Sequence, residues 1–189
     1  STQIQGRASM GGNLCNASPA ADTVPALIAA GAQCHIAGPD GERTLPVEGF
    51  CTGPGVTNLQ TGEFLVSFTL PSRPPHSGDA YLRFIPRTEM DIAVVGVGVS
   101  LSLDSNGICV AARVGLGAVA ATALLVAEAA DALIGTSVDE GAIEIMTSAI
   151  RSACRPIDGK RGTIVYRTQV SGVLAGRACR IALQRAEQS

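Results

Sequence analysis

The chain has 189 residues, enough for one domain or two small ones. Hydrophobic residues make up 46% and charged residues 16%, with no tryptophan, so the core must be filled by small aliphatic side chains. The formal net charge of −2 gives no electrostatic reason to expect nucleic acid or an anionic membrane as a partner, and no apolar run is long enough to span a bilayer.

The stretch from Gly6 to Pro25, GRASMGGNLCNASPAADTVP, carries the densest local signal. Gly11 and Gly12 lack a Cβ, so the backbone there is expected to turn sharply and let a ligand approach. Successive N–H groups in such a turn form an anion cradle. Ser9, Asn13 and Asn16 add side-chain donors and acceptors. Ser18-Pro19 reads as a helix start, and Asp22 with Pro25 as a second one. A glycine turn leading into a helix is one way to hold a pyrophosphate. Without further information the segment reads equally as an Asn/Gly/Ser-rich loop with no ligand.

Residues 19 to 30 are expected to be helical, with Val24, Leu27 and Ile28 on one face and Gly31 as the stop. A strand over 32–37 is followed by the turn Gly38-Pro39-Asp40-Gly41 and a short return over 43–45. Residues 46–58 read as loop. Gly62 to Leu70 is an aromatic and β-branched strand ended by Pro71. After the turn-rich SRPPHSG, a short strand covers Tyr81 to Ile85, and a domain boundary is placed near Pro86 to Met90. Ile92 to Leu103 is a long apolar strand, Asp104-Ser105-Asn106-Gly107 a hairpin turn, and Ile108 to Leu116 its antiparallel partner. Helices follow over 123–133, 138–154 and 163–187, the last with Tyr166, Val170, Val173 and Leu174 on one face. The predicted class is α+β, with helices on one side of an antiparallel C-terminal sheet.

Six cysteines are widely spaced with no C-x-x-C, and only His35 and His76 are present, so zinc or iron–sulfur ligation by this chain is not expected. Such cysteines usually act as small buried hydrophobes in a reducing compartment. Gly115-Leu116-Gly117-Ala118-Val119-Ala120 follows a strand and matches a G-x-G-x-x-[G/A] fingerprint, with Asp131 and Asp139 at ribose-binding spacing. A Rossmann-type NAD site therefore stands as an alternative, and it requires a parallel sheet.

The Gly6–Pro25 string resembles the second FAD motif of the flavin subunits of molybdenum hydroxylases. That family comprises the medium subunit of aerobic carbon monoxide dehydrogenase and the flavin domain of xanthine dehydrogenase. The pattern is I-R-N-x-A-T-[hydrophobic]-G-G-N, then [A/S]-x-P-x-x-D-x-x-P. Here it stands as Ile4-Gln5-Gly6-Arg7-Ala8-Ser9-Met10-Gly11-Gly12-Asn13, then Ser18-Pro19, Asp22 and Pro25. Tyr81-Leu82-Arg83-Phe84 resembles the Y-x-K-F segment, Asp91-Ile92-Ala93 the D-[I/W]-A opening of the C-terminal domain, and Arg113 to Ala120 its R-[I/V]-[A/G]-L-G-[G/A]-V-A strand. Tyr166-Arg167 with Arg177-Ala178 resembles the final helix.

The resemblance implies the second lobe of a PCMH-type FAD-binding domain over 1–86, and the C-terminal α+β domain with a three-helix layer over 87–189. It implies FAD as cofactor, with Ser9, Gly11, Gly12, Asn13 and Asn16 at the pyrophosphate and ribityl chain. It further implies Asp22 at a hydroxyl or ring edge, Leu65 packed on the flavin, and Arg83 where the family usually has lysine. Bare residue chemistry reads Asp22 as a cap, Arg83 as a surface cation and Leu65 as core. Arg87 and Asp91 are expected to pair across the domain junction.

The family's first lobe carries a further glycine loop, A-G-G-[T/H]-x-[L/F], with no counterpart here. The chain is thus expected to be the C-terminal part of a longer flavin subunit, starting within the strand that leads to the second motif, and to bind FAD weakly or not at all alone. The implied partners are a molybdenum-cofactor large subunit and an iron–sulfur small subunit, and the implied location is the cytoplasm. A cofactor-free module that packs against such subunits is the other reading.

Overall fold

The computed structural model describes residues 2–87 and 91–189, so part of the boundary expected near Pro86 to Met90 lies outside the described residues. Three short helices come first: α1 (Thr2–Gln5), α2 (Met10–Cys15) and α3 (Val24–Ala29). The strands β1 (Gln33–Gly38) and β2 (Gly41–Pro46) follow, then a 3-10 turn at Val47–Gly49, then β3 (Cys51–Gly53), β4 (Val56–Thr57) and β5 (Phe64–Thr69). The rest is β6 (Ser77–Phe84), β7 (Val95–Leu103), β8 (Cys109–Gly117), β9 (Leu124–Leu125), α4 (Ala127–Asp131), α5 (Glu140–Ala153) and α6 (Ile164–Glu187).

The strands form a three-stranded sheet of order β2-β1-β5, a small β3-β4 pair, and a four-stranded sheet of order β6-β7-β8-β9. Every pairing of these strands is antiparallel. The fold class is α+β, and the Rossmann reading falls, because that site needs a parallel sheet. Gly115–Gly117 ends an antiparallel strand.

Within the first sheet, β1 and β2 form the hairpin expected around the Gly38-Pro39-Asp40-Gly41 turn, and β5 adds to the other edge of β1. Cys34 and Ile36 point into a core with Leu14, Leu27, Ile28, Val47 and Phe50. Arg43 on β2 closes the sheet's outer end, donating from Nε to Glu63 Oε1 at 2.7 Å and from Nη2 to the Asn58 carbonyl at 2.7 Å.

The second sheet is read directly from β7, VGVGVSLSL. Val95, Val97, Val99, Leu101 and Leu103 lie on one face and are buried. Each such side chain contributes roughly 1.5–3 kcal/mol of burial. Gly96 and Gly98 lie on the other face and pair across to Gly117 and Gly115 of β8. On the valine face, α6 packs through Ala175, Ala178, Ala182 and Ala186, all fully buried. Gly78 of β6 meets this helix so closely that a Cβ there would lie 1.9 Å from the Ala182 carbonyl oxygen.

The glycine face receives α3. A Cβ on Gly98 would lie 2.5 Å from the Pro25 oxygen, and one on Gly115 2.3 Å from it. The expectation that helices cover only one side of this sheet is therefore corrected. The four glycines make a flat floor, and α3 lies against it with Leu27 and Ile28 in the first core. Arg113 of β8 clasps the same junction, donating to the Ile28 carbonyl at 2.9 Å and to Glu48 at 2.8 Å.

Several local expectations change. The first residues form α1 where a strand was expected. The helix expected from Pro19 begins at Val24, with Thr23 at its cap and Pro25 in its first turn; Ser18 only closes a turn, its Oγ accepting from Ala20 N–H at 3.3 Å. Gly31 ends the helix at φ 68°, as expected. β6 is longer than expected and belongs to the second sheet. The helix expected from Ala123 begins at Ala127, because Leu124–Leu125 pair with β8. On α6, Val173 is half exposed, and the buried stripe runs through Ser171, Leu174, Ala175, Ala178 and Cys179.

Candidate functional site

The glycine pair lies in a helix. Ser9 has extended backbone and caps α2, its Oγ accepting from Gly12 N–H at 3.0 Å. Neither Gly11 nor Gly12 has a positive φ, so the sharp turn expected there is corrected. Their lack of a side chain still needs a cause, since glycine in a helix costs about 0.8–1.0 kcal/mol relative to alanine. At Gly12 the cause is internal: a Cβ would press on Ser9 Oγ at 3.0 Å. At Gly11 it is not, because a Cβ would meet only Leu65 Cδ2, at an ordinary 3.7 Å. Gly11 keeps a bare backbone at the open start of a helix, where N–H groups lack intrahelical acceptors.

Asn13 is engaged within the chain. Its Oδ1 accepts from the Thr23 N–H at 3.0 Å and from the Thr23 hydroxyl at 2.7 Å. This joins α2 to the cap of α3 and leaves the Asn13 amide NH2 for another partner. Asn16 sits at the opposite end of α2, exposed, its N–H bonded to the Gly12 carbonyl. Leu65 comes from the adjacent edge strand β5 and is half-buried beside Gly11.

Asp22 and Arg83, sixty-one residues apart, form an ion pair that ties the approach to α3 to β6. Beside it, Tyr81 puts its hydroxyl under α3, with no hydrogen-bond partner. Burial, with the Asp22 charge adding, pushes that hydroxyl well above its usual range. Sequence reasoning quoted Tyr81 in a motif but gave it no role, and it missed Thr23. Only the fold shows that these two touch the predicted site. Together Met10, Asp22, Thr23, Leu27, Leu70 and Tyr81 line an apolar cleft of about 440 Å³. Of the predicted site residues Asp22 lines this cleft, with Arg83 paired to it. Met10 brings the start of α2 to the cleft, Ser9, Gly11, Gly12 and Asn13 lie on or at the cap of that helix, Leu65 lies beside Gly11, and Asn16 is at the far helix end.

This site sits in a chain whose two halves each match a family model. Residues 1–73 match the FAD binding domain in molybdopterin dehydrogenase. Residues 80–182 match the CO dehydrogenase flavoprotein C-terminal domain. The chain belongs to the flavoprotein-subunit family of molybdenum hydroxylases. Among its flavoprotein relatives, the carbon monoxide dehydrogenase medium chain of Afipia carboxidovorans is 32% identical over 185 residues, covering 98% of this chain and 64% of the relative. A putative xanthine dehydrogenase FAD-binding subunit of Escherichia coli is 30% identical over 166 residues, covering 87% of this chain and 56% of the relative. The structure of reconstituted CO dehydrogenase from Oligotropha carboxidovorans superposes with a TM-score of 0.93 at 31% identity, over 98% of this chain and 64% of that one. Quinoline 2-oxidoreductase from Pseudomonas putida gives 0.86 at 28% identity, over 97% of this chain and 63% of that one. The chain thus spans 56–64% of the length of these four relatives.

The residues present fit the cofactor that this family membership implies. Gly11 leaves bare backbone in the first turn of α2 with only Leu65 near it, the Asn13 amide NH2 is not used in the bonds to Thr23, and the Arg83 guanidinium is held in its pair with Asp22. No helix among the described residues is long and apolar enough to cross a membrane.

Proposed function

We propose that the chain is part of the FAD-binding subunit of a molybdenum-containing oxidoreductase, and that its α2 face forms one wall of the flavin site. The observation that carries this is the unexplained absence of a side chain at Gly11, on a capped helix start that opens beside an apolar cleft. Ser9, Gly11, Gly12 and the Asn13 amide would face the pyrophosphate and ribityl chain, with Asn16 further along the same helix. Leu65 would pack on the ring, and Asp22 and Arg83 would meet its polar edge. When bound, FAD supplies reversible two-electron chemistry; the chain supplies position and electrostatics. A cation near the ring's pyrimidine side favours the anionic reduced flavin, and Arg83 keeps that charge with a geometry unlike that of lysine.

In this reading residues 1–86 are the second lobe of a PCMH-type FAD domain and 87–189 the C-terminal domain. The subunit takes electrons from iron–sulfur clusters on a small subunit and passes them to an external acceptor. A large subunit with the molybdenum cofactor oxidises the substrate, and the complex works in the cytoplasm. The matches to medium chains of carbon monoxide dehydrogenase support this assignment.

The test is an FAD titration followed by flavin fluorescence, on the chain alone and on the chain joined to a first lobe from a relative. Saturable binding in the joined form, weakened at least tenfold by Gly11→Val with an unchanged melting curve, is the expected result. Equal binding by Gly11→Val and the unaltered protein, or no binding in either form, overturns the reading.

A further inference from the structure

We propose that Cys15 and Cys51 form a peroxide-oxidisable dithiol, whose closure to a disulfide ties the end of α2 to β3. The inference stands on geometry and does not depend on the flavin reading. All six cysteines are free, and Cys15 is the exposed one. It is the last residue of α2, while Cys51 opens β3 and is half-buried.

The Cys51 thiol donates to the carbonyl of Leu14, the residue before Cys15, at 3.6 Å. A carbonyl oxygen lies ~2.8 Å from the next Cα across a trans peptide, so Cys51 Sγ is within roughly 6.4 Å of Cys15 Cα. The two cysteines therefore meet at this contact, and closure requires side-chain rotation that brings their sulfurs into bonding range. A second bond holds the same two elements: Gly55 N–H donates to the Ala17 carbonyl at 3.0 Å. Cys34 lies near both thiols but is fully buried on β1. Cys109 and Cys179 also neighbour each other, yet both are sealed between β8 and α6. Only the Cys15–Cys51 pair combines proximity with access.

The chemistry balances with hydrogen peroxide as oxidant. The Cys15 thiolate attacks one peroxide oxygen, the O–O bond breaks, and Cys15 becomes a sulfenic acid as one water leaves. The Cys51 sulfur then attacks the sulfenic sulfur, the S–O bond breaks, and a second water leaves. Two thiols lose two electrons and two protons; the peroxide is reduced to two waters. Burial raises both thiols above their ordinary range, so the step is slow at neutral pH and accelerates as pH rises. The bond would anchor the helix that carries Ser9, Gly11, Gly12 and Asn13.

The experiment treats the reduced chain with hydrogen peroxide, alkylates remaining thiols in denaturant, and weighs and sequences the fragments. The expected product has lost two hydrogen atoms, retains four alkylatable cysteines and carries a Cys15–Cys51 bridge. Its formation should be roughly tenfold faster per pH unit below the thiol pKa. The exposed substitution Cys15→Ser should melt normally and form no bridge. Cys51→Ser should leave Cys15 gaining oxygen atoms instead. The proposal is overturned if Cys15 in the unaltered chain gains oxygen while Cys51 stays alkylatable. It is equally overturned if the bridge joins Cys34 or a second molecule, or if no thiol is lost.

Discussion

Arg83 of β6 pairs with Asp22 ahead of α3, so the two charges expected to meet a ligand separately meet each other. The pair is partly exposed, 29% for Arg83 and 44% for Asp22. An ion pair of this kind contributes little, about 0–1 kcal/mol. Asp22→Asn should therefore shift the urea midpoint only slightly. If FAD affinity in the same variant falls tenfold or more, Asp22 acts on the cofactor; if stability and affinity fall together, its role is structural.

Asn13 is a poor probe of ligand binding because it also holds the fold. Asn13→Ala strands the Thr23 N–H in a half-buried position, at a cost of about 1–3 kcal/mol. Asn13→Asp keeps the acceptor and should unfold close to the unaltered chain. Denaturation of the two variants side by side checks this; equal losses would contradict the Thr23 role.

The glycine floor should be the least forgiving part of the molecule. Gly98→Ala and Gly115→Ala drive a Cβ into the backbone of α3. Each should destabilise by about 1–3 kcal/mol or more. Gly107→Ala, at φ 78° in open space, should cost only about 1 kcal/mol. Calorimetry of the three variants ranks them directly.

Glu63 supplies a pH test. The Arg43 guanidinium, helped by the Gln60 N–H, holds its carboxyl down at about 2. A depressed folded pKa gives stability that is present above the unfolded value near 4.5 and lost as pH falls toward about 2. Glu63→Gln should flatten the melting-temperature profile in that window and leave its neutral region nearly parallel to the original. An unchanged acid limb would show that the bridge is not maintained in solution.

Tyr81 carries a buried hydroxyl without a partner. Removing it should relieve desolvation at no loss of packing, so Tyr81→Phe should melt at the same temperature or higher. A large drop would mean that the hydroxyl is bonded in solution. If the variant melts normally but loses flavin affinity, the hydroxyl serves the ligand.

Much of this molecule was legible from the chain alone, because the signals are local. The apolar run ending at Leu103, the Asp-Ser-Asn-Gly turn and the Gly31 stop depend on neighbours a few residues away; the turn and the stop formed as read, and the strand formed from Val95 instead of Ile92. The Arg87–Asp91 pair was also foreseen, from residues four apart. The motif residues named the family, since a chemical pattern survives without knowledge of its shape.

Tertiary contacts alone decided what those residues do in the fold. Gly11-Gly12 reads as a turn until Ser9 caps it as a helix. The helix signal at Pro19 lost to packing, because Val24 to Ala29 is the segment that fits over the glycine floor. Asp22 finds Arg83, Asn13 finds Thr23, and Cys51 finds the end of α2 across ten to sixty-one residues of sequence. Propensity and periodicity act over one or two turns of chain, whereas these pairings depend on how two sheets clasp one helix.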